Sequence, residues 1–181
     1  MKYTHLEGPP EEIAEFLRLT EKGGGQSTEN SAASESEMAD TPVSGTDMDT
    51  FEIELYVESR ERSADTSRGV LAYLKAVREL GRIEIVTGTS VRTKDGQTDY
   101  LMVRDAGQRR YGAVAYVKPA NGGLTLRLNR DDVADISTDC IHFRDVREGH
   151  KYVVNCPLTS DEAIKWAVEL TRRALRKVRG Q

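Results

Sequence analysis

Four residues able to bind a metal ion or to act as nucleophiles lie close together near the C-terminal end of the sequence. They are Cys140, His142, His150 and Cys156, four of the five cysteines and histidines in the chain of 181 residues. Thiolate and imidazole groups are the usual ligands of structural zinc, so a four-ligand zinc site is one hypothesis. The spacing argues against it. Zinc ligands usually pair as C-x2-4-C and H-x3-5-H, whereas the gaps here are one, seven and five residues.

A cysteine–histidine pair for nucleophilic catalysis is a second interpretation of the same residues. Alternation along a strand would place Cys140 and His142 on one face. No glycine-rich oxyanion turn or third orienting residue accompanies the pair. The simpler interpretation is that Cys140 and Cys156 are small buried residues at strand ends, and that His142 and His150 lie on a loop. We therefore expect no cofactor, and a zinc-dependent or thiol enzyme is the third functional hypothesis.

Acidic and glycine-rich stretches add no catalytic motif. The acids near Asp131 and Asp135 fall in a polar stretch, without the converging carboxylates that metal-dependent phosphodiester chemistry requires. Gly122 and Gly123 lack both the GxGxxG context and the Lys-Ser/Thr of a phosphate-binding loop. We expect neither a nucleotide cofactor nor a catalytic residue.

Basic residues and tyrosines are interleaved along the second half of the chain. A sheet that carries such side chains can neutralise phosphates and stack bases. The candidates for phosphate contacts are Arg109, Arg110, Lys118, Arg127, Arg172, Arg173 and Arg176, and the candidates for stacking are Tyr100, Tyr111 and Tyr116. Cations near a helix C-terminus are also favoured by the helix dipole, so a solvated basic face is an open alternative.

The charge is divided unevenly along the chain. Residues 1–50 contain three bases and eleven acids, whereas residues 51–181 contain 23 bases and 19 acids. The net charge of −4 is therefore the sum of −8 and +4. Only the C-terminal part is expected to attract anions, and its charge is modest for a nucleic-acid-binding domain.

The elements that must position these residues form one predicted domain at 51–181. Apolar alternation predicts strands, and apolar residues at helical spacing predict helices. The predicted strands are 51–58, 82–86, 100–104, 110–117, 124–128 and 150–155, and a helix is an open alternative for 51–58. The predicted helices are 66–80 and an amphipathic helix of about 18 residues capped by Thr159. This order indicates an α+β fold, with a mainly antiparallel sheet of about five strands flanked by two helices.

The N-terminal part is predicted to be a separate arm. Residues 1–22 form a strand–helix segment, in which Ile13, Phe16 and Leu17 give the helix an apolar stripe for docking on a partner or on the body. Residues 23–50 are predicted to be a disordered acidic linker. No stretch approaches 18 consecutive apolar residues and the chain has two cysteines, so we expect a cytoplasmic protein without membrane contact.

Residues 99–179 contain an ordered series of features: YLMVRDAGQRRYGAVAYVKPANGGLTLRLN, an Asp-rich loop with His142, and KYVVNCPLTSDEAIKWAVELTRRAL. This series resembles an uncharacterised bacterial α+β domain family loosely labelled "predicted transport protein", whose members are often attached to restriction or DNA-associated modules. The resemblance implies a compact accessory domain in the company of proteins that handle DNA. The family usually has a Gly-His pair where this chain has Ile141 before His142, and no active-site residue is carried over.

Two functional hypotheses lead from these observations. The first is a non-catalytic bacterial or phage accessory protein whose mildly basic domain binds nucleic acid. The second is a module for protein–protein interaction or oligomerisation that docks through the N-terminal amphipathic helix.

Overall fold

Residues 45–60, 62–90 and 93–181 are described by the computed structural model, and they contain three α-helices and six β-strands. The helices are α1 Thr50–Ser59, α2 Ala64–Arg78 and α3 Asp161–Arg179. The strands are β1 Ile83–Thr89, β2 Gln97–Asp105, β3 Ala115–Lys118, β4 Gly123–Leu126, β5 His142–Phe143 and β6 Val154–Asn155. The predicted α+β class is confirmed.

The six strands form one antiparallel sheet in the order β1-β2-β3-β4-β6-β5. Paired residues place their side chains on the same face of a sheet. One row across the sheet runs from Ile85 through Val103, Ala115 and Leu126 to Val154. This row belongs to the hydrophobic core, together with apolar residues of all three helices. The helices therefore cover this first face of the sheet.

Residues 51–58, predicted to be a strand, belong to helix α1 in the structure, so that prediction is wrong. Phe51 and Leu55 are 65% and 50% exposed, whereas Ile53 and Val57 are buried, which is a helical and not an alternating pattern. A capping box fixes the start of the helix, because the Glu52 amide donates to Asp49 Oδ1 at 2.8 Å and the Asp49 amide donates to Glu52 Oε2 at 2.8 Å. Such a box satisfies two helical amides that would otherwise lack acceptors.

Three further boundaries differ from the predictions. The predicted strand 110–117 begins only at Ala115, because Arg109–Tyr111 forms a 3-10 turn that ends at Gly112 with φ of +69°. The predicted strand 150–155 is reduced to β6, which pairs with the unanticipated strand β5. The cap of α3 is Ser160, whose hydroxyl accepts from the Ala163 amide at 3.1 Å, and not Thr159.

The predicted strand–helix segment at 1–22, including Ile13, Phe16 and Leu17, lies outside the described residues, as does the predicted linker up to residue 44. The last part of that linker runs along β1, where the Met48 amide donates to the Ile85 carbonyl at 2.9 Å. Within the described ranges, no helix has the length and apolar character needed to cross a membrane.

Candidate functional site

Basic side chains line a groove of about 680 Å³ formed by the residues after β4, the loop between β5 and β6, and one residue near the end of α3. The six bases are Arg127, Arg130, Arg144, Arg147, Lys151 and Lys177, and the three acids are Asp131, Asp145 and Glu148. With neutral His150, the lining carries a formal charge of +3. An excess of cationic groups in a concave surface raises the local concentration of anions.

The loop between β5 and β6 is held in a hairpin that brings distant bases together. The Arg144 amide donates to the Val153 carbonyl at 2.8 Å and extends the pairing beyond β5. The His150 amide donates to the Arg147 carbonyl at 3.2 Å, and Gly149 takes φ of +80° in this turn. Glycine adopts such a left-handed conformation without steric cost. The loop thereby places Arg147 opposite the residues that follow β4.

Arg127 is fixed at the side of the groove by aromatic residues. Its guanidinium donates to the Tyr111 carbonyl and lies 3.3 Å from the Tyr152 hydroxyl oxygen. Its Cζ atom is 5.7 Å from the centroid of each of these two rings. Tyr152 is itself anchored, because its hydroxyl donates to the Ala113 carbonyl at 2.8 Å. A guanidinium held in this way keeps a defined orientation for hydrogen bonds to an anion.

Phe143 provides an exposed aromatic ring beside these bases. The residue is 43% exposed on the edge strand β5, and Arg130 Cζ lies 4.4 Å from the ring centroid. The next residue, Arg144, lines the groove, and its Nη1 donates to the Tyr152 carbonyl at 3.1 Å. Phe143 is not among the predicted stacking residues, although its position between a histidine and an arginine is visible in the sequence.

The predicted stacking residues are mostly covered. Tyr100 and Tyr116 are 7% and 5% exposed, and their rings pack edge to face with centroids 5.3 Å apart. A base cannot stack on a ring that protein atoms already cover, so these two rings are not available for stacking in this conformation. Tyr111 is half-buried, and the Arg110 guanidinium carbon lies 4.8 Å from its ring centroid.

Most of the predicted phosphate-binding bases lie outside the groove, and Arg127 alone of that set lines it. Arg109 is paired with Glu84, and Arg172 with Glu169. Lys118 is half-buried at the end of β3, while Arg110 and Arg176 are exposed away from the groove lining.

Arg173 on α3 makes a bidentate ion pair with Asp135. Two of its nitrogens lie 2.6 and 2.9 Å from the carboxylate oxygens of Asp135. The hydrogen bond from Arg173 holds the pKa of Asp135 below its usual value. A bidentate pair of this kind must be broken before the guanidinium can bind a phosphate in the same geometry.

The four candidate metal ligands Cys140, His142, His150 and Cys156 all lie within the described residues. Across 45–60, 62–90 and 93–181, no group of three or more His, Cys, Asp or Glu side chains is placed to hold a metal ion. His142 is exposed in strand β5 and not on a loop, whereas the His150 Nδ1 accepts from the Tyr152 amide at 3.1 Å. Cys140 is half-buried.

Cys156 is unsuited to nucleophilic catalysis. Its side chain is completely buried, and its Sγ donates to the Ala163 carbonyl at 3.4 Å. Burial, with a smaller contribution from Cys140, raises the pKa of the Cys156 thiol to about 12. The thiolate is the reactive form of cysteine, and it is scarce at neutral pH under these conditions.

The groove therefore carries an excess of cationic groups beside an exposed aromatic ring. Its guanidinium groups are planar donors that match phosphate oxygens, and the ring of Phe143 offers an apolar surface next to them. Comparison with protein-family models, with curated protein sequences and with solved structures finds no match to this chain.

Proposed function

We propose that the protein is a non-catalytic cytoplasmic accessory protein, of bacterial or phage origin, that binds single-stranded nucleic acid in the basic groove. The observation that carries the proposal is the exposed ring of Phe143 next to a groove lined by six bases and three acids. Phosphates would bind to Arg127, Arg130, Arg144, Arg147 and Lys151, with an unpaired base on Phe143.

The combination of charge and one exposed ring favours a single strand over a duplex. Proteins that bind single strands combine a cationic groove along the backbone with aromatic rings on which bases stack. The bases of a duplex are already stacked on each other, so the ring of Phe143 would gain nothing from them.

The test measures the salt dependence of binding with a fluorescently labelled single-stranded oligonucleotide. Arg130 and Arg147 are exposed, so the double variant R130Q/R147Q should fold normally. Each phosphate contact contributes about 0.7 to the slope of log K against log salt for a single strand. Loss of two contacts should lower the slope by about 1.4.

The matched control is the double variant R68Q/K75Q. Both residues are exposed on α2 and do not line the groove, so this variant loses the same charge elsewhere. It should keep the slope of the unmodified protein. Equal effects of the two double variants, or no binding at low salt, would overturn the proposal.

A protein-interaction module is a second candidate, and exposed apolar residues on α1 favour it. Phe51 and Leu55 lie one turn apart and are 65% and 50% exposed. A second groove of about 580 Å³, lined largely by apolar surface, lies between α1 and α2. Sedimentation at several protein concentrations measures self-association. If the exposed face of α1 that carries Phe51 and Leu55 forms the interface, Leu55→Glu should abolish self-association.

A further inference from the structure

Helix α1 carries an exposed apolar ridge, the α1 ridge, formed by Phe51 and Leu55. The two side chains are 65% and 50% exposed, whereas Ile53 and Val57 of the same helix are buried in the core. Residues four apart lie on one side of a helix, so Phe51 and Leu55 project together. Contact with another molecule would remove this apolar surface from water, which is favourable.

A concave apolar surface lies beside this ridge. It is the groove of about 580 Å³ between α1 and α2, called here the α1–α2 groove. Its lining includes Ile53 of α1 and Leu71 and Leu74 of α2. Its α1 side also includes Thr50 and Glu54, each of which directly precedes a ridge residue in the chain. Each copy of the chain therefore has a projecting and a concave apolar surface side by side.

The charges on these two surfaces are complementary. Helix α1 contains three acids and no base, and Glu54 and Glu58 are exposed near the ridge. The groove is lined by three bases and two acids, and its bases Arg68 and Lys75 are exposed on α2. Arg68 pairs with Asp65 of its own helix, but the two side chains are 77% and 87% exposed, so this contact is weak. An acidic ridge and a basic groove rim attract each other and disfavour other registers.

We infer that two copies of the chain associate about a two-fold axis, with the α1 ridge of each copy inserted into the α1–α2 groove of the other. A two-fold interface uses the same patch on both copies, and here that patch contains both complementary surfaces. The arrangement covers Phe51 and Leu55 of both copies and brings Glu58 of one copy towards the α2 bases of the other. The inference rests on the second candidate function, self-association through α1, and adds the surface that receives the ridge.

Charge reversal in the full chain tests this pairing. The variant E54K/E58K makes the ridge basic, and R68E/K75E makes the groove rim acidic; all four residues are exposed. Each double variant places like charges across its own interface. Each should therefore raise the dissociation constant of the dimer, measured by sedimentation at several concentrations, by about tenfold or more.

A mixture of the two double variants is the most specific measurement. In a mixed dimer, the basic ridge of one chain meets the acidic groove of the other, and the acidic ridge meets the basic groove. The mixture should therefore associate more tightly than either variant alone. The matched control K165E/R176E reverses two exposed bases on α3 that do not line the groove, and it should leave the dissociation constant unchanged. Thermal unfolding of each variant confirms that the fold is retained.

The outcomes separate this inference from the proposed functions. If R68E/K75E self-associates as tightly as the unmodified protein, the groove does not receive the ridge and the inference is wrong, although self-association through α1 stands. Failure of the mixture to recover association would also overturn the inference. A chain that stays monomeric at every concentration would overturn both. Oligonucleotide binding is tested separately, because the basic groove and the α1–α2 groove share no lining residue.

Discussion

The guanidinium of Arg130 lies over the ring of Phe143, with its Cζ atom 4.4 Å from the ring centroid. The two residues are thirteen positions apart. They meet because Val153 bridges their segments: its amide donates to the Leu128 carbonyl, and its carbonyl accepts from the Arg144 amide. Such a contact contributes about 0.5–1 kcal/mol at an exposed site. The pair therefore orients both side chains in the free protein and still leaves the arginine able to exchange its partner for a phosphate.

Replacement of Phe143 by leucine is expected to weaken binding of a single-stranded oligonucleotide by about 1–3 kcal/mol, the contribution of one stacked base. Phe143→Tyr keeps a ring and should retain most of the affinity. Because the side chain is 43% exposed, neither change should alter the thermal unfolding temperature much. Fluorescence anisotropy titrations of both variants make the comparison. If the Phe143→Leu variant binds the oligonucleotide as tightly as the unmodified protein does, the ring of Phe143 is not a stacking surface.

The buried pair of Glu84 and Arg104 should make stability depend on acid pH. Arg104 Nε lies 2.6 Å from Glu84 Oε2, and both residues are buried. Burial alone raises the pKa of Glu84, but hydrogen bonds and charges from Arg109 and Arg104 outweigh it and hold the pKa below its usual value of 4.5. A lowered native pKa means that the ionised carboxylate stabilises the fold above pH 4.5. That contribution disappears as the pH falls through the native pKa.

Glu84→Gln should therefore be most destabilising at neutral pH, by about 1.5–3 kcal/mol, because a neutral amide replaces the carboxylate that accepts a hydrogen bond from the buried Arg104. The difference in free energy of unfolding between the variant and the unmodified protein should become smaller as the pH falls below 4.5. Urea unfolding at a series of pH values measures both. Asp95→Asn is the matched control, since Asp95 pairs with Arg60 but its side chain is 46% exposed. A difference that stays constant with pH would exclude ionisation of Glu84 as its cause.

Elements with one clear periodicity could be predicted from the sequence, whereas α1 could not. Phe51, Ile53, Leu55 and Val57 alternate as in a strand, yet Ile53 and Val57 also lie four residues apart on one helical face. This segment is a helix in the structure because Asp49 caps its start and because Ile53 and Val57 pack in the core with α2 and the sheet. The Asp49 and Glu52 spacing was a local signal for the helix start.

The site was harder to predict because its members are distant in sequence. Arg127 was a candidate, but Arg130, Arg144 and Arg147 lie in polar stretches that are indistinguishable from solvated loops. The pairing of Arg173 with Asp135, 38 residues away, also leaves no local pattern. Long-range packing determines which bases are brought together in the groove.

Gly69 is expected to be required for the packing of α2. A Cβ atom there would lie 2.5 Å from the Leu158 carbonyl oxygen, closer than real contacts allow. Alanine would gain about 0.5–1 kcal/mol in helix propensity but would cost about 1–3 kcal/mol through overpacking against backbone. Gly69→Ala should therefore lower the free energy of unfolding, measured with urea. The neighbouring exposed variant Arg68→Ala should change it little, and a stabilised Gly69→Ala protein would contradict this account of the close approach.

A buried hydrogen bond between Tyr73 and Thr171 connects α2 to α3. We expect the loss of stability to be larger when the acceptor Thr171 is replaced than when the donor Tyr73 is replaced. The two oxygens are 2.7 Å apart, and the Thr171 hydroxyl donates to the Ala167 carbonyl at 2.8 Å, so the Tyr73 hydroxyl is the donor to Thr171. Burial raises the pKa of Tyr73, which keeps its phenol protonated. Thr171→Val leaves that donor without its partner and should cost about 1–3 kcal/mol, whereas Tyr73→Phe should cost about 0.5–1.5 kcal/mol.

The double variant Y73F/T171V completes the cycle. Because it removes both partners together, its loss in unfolding free energy should be smaller than the sum of the two single losses. Urea denaturation of the four proteins gives the coupling free energy, and the tryptophan at position 166 on α3 provides the signal. Additive losses would show that the two hydroxyls contribute independently and that their short separation does not join the helices.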